Sequence, residues 1–161
     1  MQDGRIVGEG SPSDMYERPS TEFVASFMGP ANFWDGTTMA DEDGVLHVQV
    51  RAGGKPLGTL LASGAGAVSH VRDDCRVMVR PEHITLTPAS GDEAGTPIDP
   101  VPAGRLHGHV ARMTYLGAQT EVAVDLGGCT ISAYATDTRP LSLGMPVTAL
   151  IPPDRVQLIG A

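Results

Sequence analysis

Lysine occurs once in the 161 residues, at Lys55, and the other ten basic side chains are arginines, set against nineteen acidic residues for a formal charge of -8. That balance argues against a nucleic-acid binder, because affinity for a phosphate backbone comes mostly from cations that displace condensed counterions. Aromatic residues make up 4%, so the core has to be built from Val, Leu, Ile, Ala and Met. Cysteine appears only at Cys75 and Cys129, with no Cys-x-x-Cys, and suggests neither a zinc site nor a disulfide framework. Cys75 alternates with Val77 and Val79 and reads as a small core residue. No apolar run reaches the ~20 residues that cross a bilayer, and the opening MQDGRIVGEG lacks a charged-then-apolar leader pattern. A soluble, cytoplasmic chain is expected.

At ~100 to 200 residues per domain, the length allows one ordinary domain or two very small ones. Apolar residues amount to 41%, enough to bury a core. The 20 Gly and 13 Pro imply many turns and short elements. The first thirty residues read as strand, helix, helix. Arg5-Ile6-Val7 is a short strand after the Asp3-Gly4 turn. Ser11-Pro12-Ser13-Asp14 carries helix-start chemistry, with a capping hydroxyl, Pro at the first helical position and a carboxylate three residues on. Pro19 stops that helix, and a second one starts at Ser20. Phe23, Val24, Phe27 and Met28 then form an apolar stripe that Gly29 can end. Helices this short cannot bury their own faces, so those carrying Phe23 and Phe27 are expected to be poorly anchored with an exposed apolar patch, and either to dock on the β units or a neighbouring chain or to fray.

From Asn32 onward the helical period gives way to short alternating runs. Leu46, Val48 and Val50 point one way, and the same reading fits Val77 with Val79 and Val122 with Val124. Turn clusters at Asp41 to Gly44, Gly53-Gly54 and Gly127-Gly128 separate the runs, as in a small all-β barrel or sandwich. A repeat lies within this part. Val79-Arg80-Pro81-Glu82-His83-Ile84-Thr85-Leu86 aligns with Ile151-Pro152-Pro153-Asp154-Arg155-Val156-Gln157-Leu158 at an offset of 72, and Gly36 falls on Gly108 in the same register. The expectation is a mostly β fold of two related small β units, roughly 33–88 and 105–161, joined by a Gly, Pro and Asp-rich linker at 89–104.

Catalytic motifs are hard to find. Gly8-Glu9-Gly10-Ser11 lacks the third glycine of a dinucleotide loop. Ala52-Gly53-Gly54-Lys55-Pro56 has Pro where a phosphate loop needs a hydroxyl, and reads as a hairpin with one solvated lysine. His107-Gly108-His109 could chelate a metal from one strand face, but without Cys or carboxylate at ligand spacing both imidazoles are expected to face solvent. No Gly-x-Ser-x-Gly elbow is present. Neither a cofactor nor a metal is expected.

Residues 1–29, with Tyr16-Glu17-Arg18-Pro19 and Phe23-Val24-Ala25-Ser26-Phe27, resemble the closing segment of the ATP-binding subunits of bacterial ABC importers. Val79-Arg80-Pro81-Glu82 resembles the Val-Arg-Pro-Glu motif of that family's C-terminal regulatory domain, and Tyr115-Leu116-Gly117 its second motif. The resemblance implies a tandem pair of OB-like units, the transport-associated OB or TOBE domain, over residues 33–161, with 1–32 the end of a nucleotide-binding domain. A complete subunit carries its phosphate loop, signature motif, metal-binding carboxylate and switch histidine upstream of the residue matching Met1, so this part alone is expected neither to bind nor to hydrolyse ATP. Gly29-Pro30-Ala31-Asn32-Phe33 is closer to the polyamine, ferric-ion and organophosphonate importers than to the sugar importers.

What the resemblance implies is an accessory regulatory domain that pairs with a second copy of the subunit. In the full transporter it would sit at the inner membrane beside the permease components, with no role for nucleic acid. Phe33, Trp34 and Tyr115 are the candidate pairing contacts, since aromatics are otherwise scarce. The rival reading is a small-ligand module for an oxyanion such as molybdate, with Thr114, Thr120, Thr130 and Ser132 as available hydroxyls.

Overall fold

The computed structural model describes residues 10–40, 46–63, 74–89 and 103–159. The expected strand at Arg5 to Val7, the turn at 41–44 and most of the linker lie outside these residues. The head begins with α1 (Pro12–Glu17), where the Ser11 hydroxyl accepts from the Asp14 amide at 3.1 Å and donates to the Asp14 carboxylate at 2.6 Å. Helix α2 (Glu22–Met28) is capped by Thr21, one residue later than expected, with its hydroxyl 3.2 Å from the Val24 amide.

The apolar face that α2 buries is not the phenylalanine pair. Val24 and Ala25 are buried, whereas Phe23 is 39% and Phe27 79% exposed. Ala25 packs with Met78 and Ile159, flanked by Ala31 and Phe33, in a small second core. The head is therefore docked on the β structure.

Strands β1 (Asn32–Ala40), β2 (Leu46–Ala52) and β3 (Lys55–Ala62) form an antiparallel meander. Ala52 pairs with Lys55 across Gly53-Gly54, whose φ values are 55 and 79°. Two positive φ angles give the turn twist that a two-residue hairpin needs. Strand β4 (Cys75–Val79) pairs with the other side of β1, and a 3-10 turn at Pro81–His83 leads into β5 (Thr85–Pro88). The second half repeats this order as β6 (Arg105–Tyr115), β7 (Thr120–Asp125), β8 (Thr130–Ala135), β9 (Pro146–Leu150), a 3-10 turn at Pro153–Arg155 and β10 (Gln157–Ile159).

The repeat is visible in the hydrogen-bond registers. Phe33 pairs with Met78 and Gly36 with Cys75, while Arg105 pairs with Leu150 and Gly108 with Val147, each position displaced by 72. The last strands, however, are exchanged. One sheet has the order β10-β4-β1-β2-β3 and the other β5-β9-β6-β7-β8, so each half closes the other's sheet. Thr85 pairs with Leu150 and Gln157 with Met78, again 72 apart. The two sheets share one core, in which Val48, Val50, Leu60, Val77 and Val79 meet Leu106, Val122, Val124, Val147 and Ala149. At about 1.5 to 3 kcal/mol per fully buried aliphatic side chain, this shared interior makes the halves mutually dependent.

Candidate functional site

Among the residues singled out from the sequence, Arg80, Pro81 and Glu82 form the junction between head and sheets. Arg80 directly follows β4 and is only 2% exposed, which is unusual for a guanidinium that has no carboxylate partner among the described residues. Its Nη1 lies 3.0, 2.9 and 3.1 Å from the carbonyl oxygens of Ala25, Gly29 and Pro30, and its Nη2 lies 3.0 Å from that of Tyr16. These acceptors include the open carbonyls at the C-termini of both helices, where the helix dipole favours a cation. One side chain thus caps α1 and α2 together.

Tyr16 completes the junction. The Arg80 guanidinium stacks 4.1 Å above its ring, a cation–π contact, and its hydroxyl donates to the Glu82 carboxylate. Burial first, then that hydrogen bond, pushes the Tyr16 phenol up to about 12. Pro81 is buried and opens the 3-10 turn that sends the chain towards the opposite sheet. The Tyr-x-x-Pro of the head and the Val-Arg-Pro-Glu of the β region, separate in sequence, meet here. A second tie joins Arg76 bidentately to Glu22, at 2.8 and 3.1 Å, and to Asp35 at 2.7 Å. Being partly exposed, each such pair contributes about 1 kcal/mol or less.

Phe33, Trp34 and Tyr115 do not form one surface. Trp34 is 2% exposed and belongs to the core, because β1 turns positions 32, 34, 36 and 38 inward. Phe33 faces the head, packed beside Ala25 with the Arg76 guanidinium 5.8 Å above its ring. Tyr115 is 78% exposed at the tip of the β6–β7 hairpin, next to Leu116 at 51%. Gly117, at φ 94°, turns the chain there, and the Leu116 amide donates to the Gln119 carbonyl at 2.8 Å. The hairpin tip is therefore an exposed apolar pair on a hydrogen-bonded turn.

The hydroxyls named for an oxyanion do not converge. Thr120 pairs with Ala135 and Thr130 with Asp125, at opposite ends of the β7–β8 ladder, roughly 17 Å apart at the usual strand rise. The Ser132 hydroxyl donates to the Glu121 carboxylate at 2.8 Å, a neighbour that repels an anion. His107 also differs from expectation. Its Nδ1 lies 3.0 Å from the Thr148 hydroxyl and its Nε2 is buried without a partner, while His109 is exposed. No group of three or more metal-ligating side chains is assembled among the described residues.

Asn32 was not recognised as structural from the sequence. Its side-chain amide donates to the Ser132 carbonyl at 2.9 Å and accepts from the Ser132 amide at 2.8 Å. It imitates a strand partner along the edge of β8 and stitches the two sheets together. Buried amides of this kind are stable only when paired, and its position at the start of β1 is the only sequence signal for it.

Comparison with known proteins gives three findings. The family model described as TOBE domain matches residues 77–159. The chain is 29% identical over 145 residues to the spermidine/putrescine import ATP-binding protein PotA of Mesorhizobium japonicum, covering 89% of this chain and 35% of that protein. It is 33% identical over 125 residues to the Fe(3+) ions import ATP-binding protein FbpC of Photobacterium profundum, covering 77% of this chain and 29% of that protein. The chain thus spans about a third of the length of these curated relatives. Among solved structures, the cytoplasmic molybdate-binding protein ModG, in a form with molybdate bound, superposes with a TM-score of 0.60 over 81% of this chain and 96% of that one. At 20% identity that likeness concerns the fold.

Proposed function

Because this chain belongs to the TOBE domain family, matched over residues 77–159, we propose that it serves as the accessory C-terminal part of an ABC importer's ATP-binding subunit. In this reading residues 33–161 are the regulatory domain and residues 1–32 the end of the nucleotide-binding domain. The observation that carries it is the Arg80 junction, where the segment resembling the end of the ATPase domain is capped by the motif of the β domain. Movement of the head is thereby tied to the sheets. The names of the relatives support a polyamine or ferric-ion importer branch, with the organophosphonate importers beside them on sequence resemblance alone. The permease components of such an importer are the proposed partners in the full subunit, at the cytoplasmic side of the inner membrane. No helix among the described residues is long and apolar enough to cross a membrane.

The chain by itself is proposed to be non-catalytic. Its melting temperature is then expected not to rise with Mg-ATP, since any ligand that binds the native state raises it. A saturable, nucleotide-dependent rise would contradict this.

The second proposed partner is another copy of the chain. Isologous pairing uses the same patch on both protomers, and the Tyr115–Leu116 tip offers a large aromatic and an aliphatic side chain free of the core. Sedimentation equilibrium is expected to give a dimer, and the double substitution Tyr115→Ser and Leu116→Ser is expected to weaken it by about tenfold or more. A monomer at every concentration up to about 0.5 mM, already far too weak for a stable pair, would overturn the pairing.

A further inference from the structure

Strand β6 outruns its neighbour β9. Their pairing ends at His109 and Pro146, and the last backbone bonds join Val110 to Gly144 and Met145 at 2.8 and 2.9 Å. The ladder with β7 continues to Tyr115 and Thr120, after a bulge between Val110 and Arg112. A bulge bends its strand and increases the local twist, and here it marks the point where β6 parts from β9. From Ala111 to Tyr115, β6 has β7 on one side and no described strand on the other.

The closure of the hairpin decides which backbone groups face that open side. The Leu116 amide donates to the Gln119 carbonyl at 2.8 Å, so Tyr115 and Thr120 form a non-hydrogen-bonded pair, and by alternation along an antiparallel ladder Met113 and Val122 form another. The N–H and C=O of Met113 and Tyr115 therefore point away from β7, whereas those of Thr114 are held by it. Past the bulge the inward phase passes from Val110 to Met113, which packs against the core. Tyr115 follows on the same face with its ring exposed. Free edges are usually blunted by lysine, proline or inward charge. From Val110 to Gln119 there is no lysine, proline or carboxylate, although the chain as a whole carries a charge of -8, so two copies meet here without opposing their carboxylates.

Resting on the pairing reading above, we infer that a second copy of the chain adds to this edge as an antiparallel strand, about a two-fold axis at Thr114. That register sets Met113 opposite the partner's Tyr115 and joins their outward groups as a hydrogen-bonded pair. Thioether and aromatic ring then meet across the strands, a favourable cross-strand contact. Thr114 faces the partner's Thr114, and Arg112 falls opposite the partner's Leu116, so no like charges are opposed. The partner's hairpin tip ends beside the start of β9, where Leu143 is 68% exposed next to Gly144. A second copy is favoured over a foreign strand because its edge has the same phase, and one two-fold contact satisfies both edges and closes the assembly.

Amide exchange resolved by NMR, on the whole chain in dilute and in concentrated solution, tests the edge. The Met113 and Tyr115 amides are expected to exchange freely in the monomer and to slow by about tenfold or more in the dimer, while the Thr114 amide is protected in both. Thr114→Cys is expected to give a disulfide-linked dimer under mild oxidation, because the Cα atoms of a non-hydrogen-bonded pair lie about 4.5 Å apart, within disulfide reach. Ala118→Cys, exposed on the turn but far from the axis, is expected to stay unlinked, as is the unmodified chain with its half-buried Cys75 and Cys129. A dimer in sedimentation whose Met113 amide still exchanges freely, and whose Thr114→Cys form stays unlinked, overturns the edge pairing and leaves the pairing reading standing. Equal linkage at positions 114 and 118 overturns it as well. A chain that is monomeric up to about 0.5 mM overturns both and leaves the edge to a strand of another protein.

Discussion

Replacing Arg80 with methionine is expected to detach the head while leaving the two sheets folded. The guanidinium satisfies helix-end carbonyls on both α1 and α2, and no other described side chain caps both. Loss of one partner from a buried charged network costs about 3 to 5 kcal/mol. Here the stranded carbonyls escape that cost by moving into water, which means undocking. Helices of six and seven residues are marginal alone, so undocking is also melting. In the unmodified chain the amides of α2 are expected to exchange slowly, approaching those of β4, because Val24 and Ala25 are buried against the sheet. In Arg80→Met the α2 amides are expected to exchange freely while β4 stays protected. Arg80→Lys is expected to restore little, since a single ammonium lacks the planar fork that reaches both helix ends. Unchanged α2 protection in Arg80→Met would mean that packing, not the guanidinium, holds the head.

The second large effect concerns two glycines at equivalent places in the repeat. A Cβ on Gly108 would lie 2.4 Å from the Asp125 carbonyl oxygen, 2.8 Å from Val124 Cγ1 and 2.9 Å from Leu126 Cδ2. Backbone cannot yield as a side chain does, so Gly108→Ala is expected to cost roughly 4 kcal/mol, at the severe end for single substitutions. At Gly36 the nearest atoms are Val77 Cγ2 at 2.8 Å, Val48 Cγ1 at 2.9 Å and Cys75 Sγ at 3.1 Å, all side-chain atoms. Gly36→Ala is expected to cost about 1 to 2 kcal/mol, the range of moderate overpacking. Urea unfolding of the two variants measures the difference, and equal losses would contradict it. The repeat therefore preserves a close approach at both positions without preserving what approaches.

Much of the β structure was legible because its inward positions are apolar. Leu46, Val48 and Val50 are all buried, as are Val77, Val79, Val122 and Val124, and the 72-residue offset appears in the ladder registers themselves. The strand exchange was not legible. Leu86 and Leu158 present the same alternation whichever sheet they join, so periodicity cannot choose the edge, and the 3-10 turns opened by Pro81 and Pro153 make that choice. Strand β1 hid its inward face because Asn32, Gly36 and Thr38 accompany Trp34 there, and scarcity of aromatics wrongly favoured Trp34 as a surface contact. Helix α2 is apolar on two sides, and sequence alone did not say that Val24 and Ala25, rather than Phe23 and Phe27, face the sheet. Arg80 belongs to the Val-Arg-Pro-Glu motif, but burial of a guanidinium with no carboxylate partner among the described residues runs against composition rules and depends on helix ends that only the fold brings to it.

The proposal of a non-catalytic pairing module tied to its head is tested most directly by hydrogen exchange of the chain at low and high protein concentration. The account predicts that residues 115–119 gain protection as concentration rises, while the β4 and α2 amides are protected throughout. Loss of protection in α2 at either concentration, or concentration-independent exchange at the hairpin tip, would contradict it.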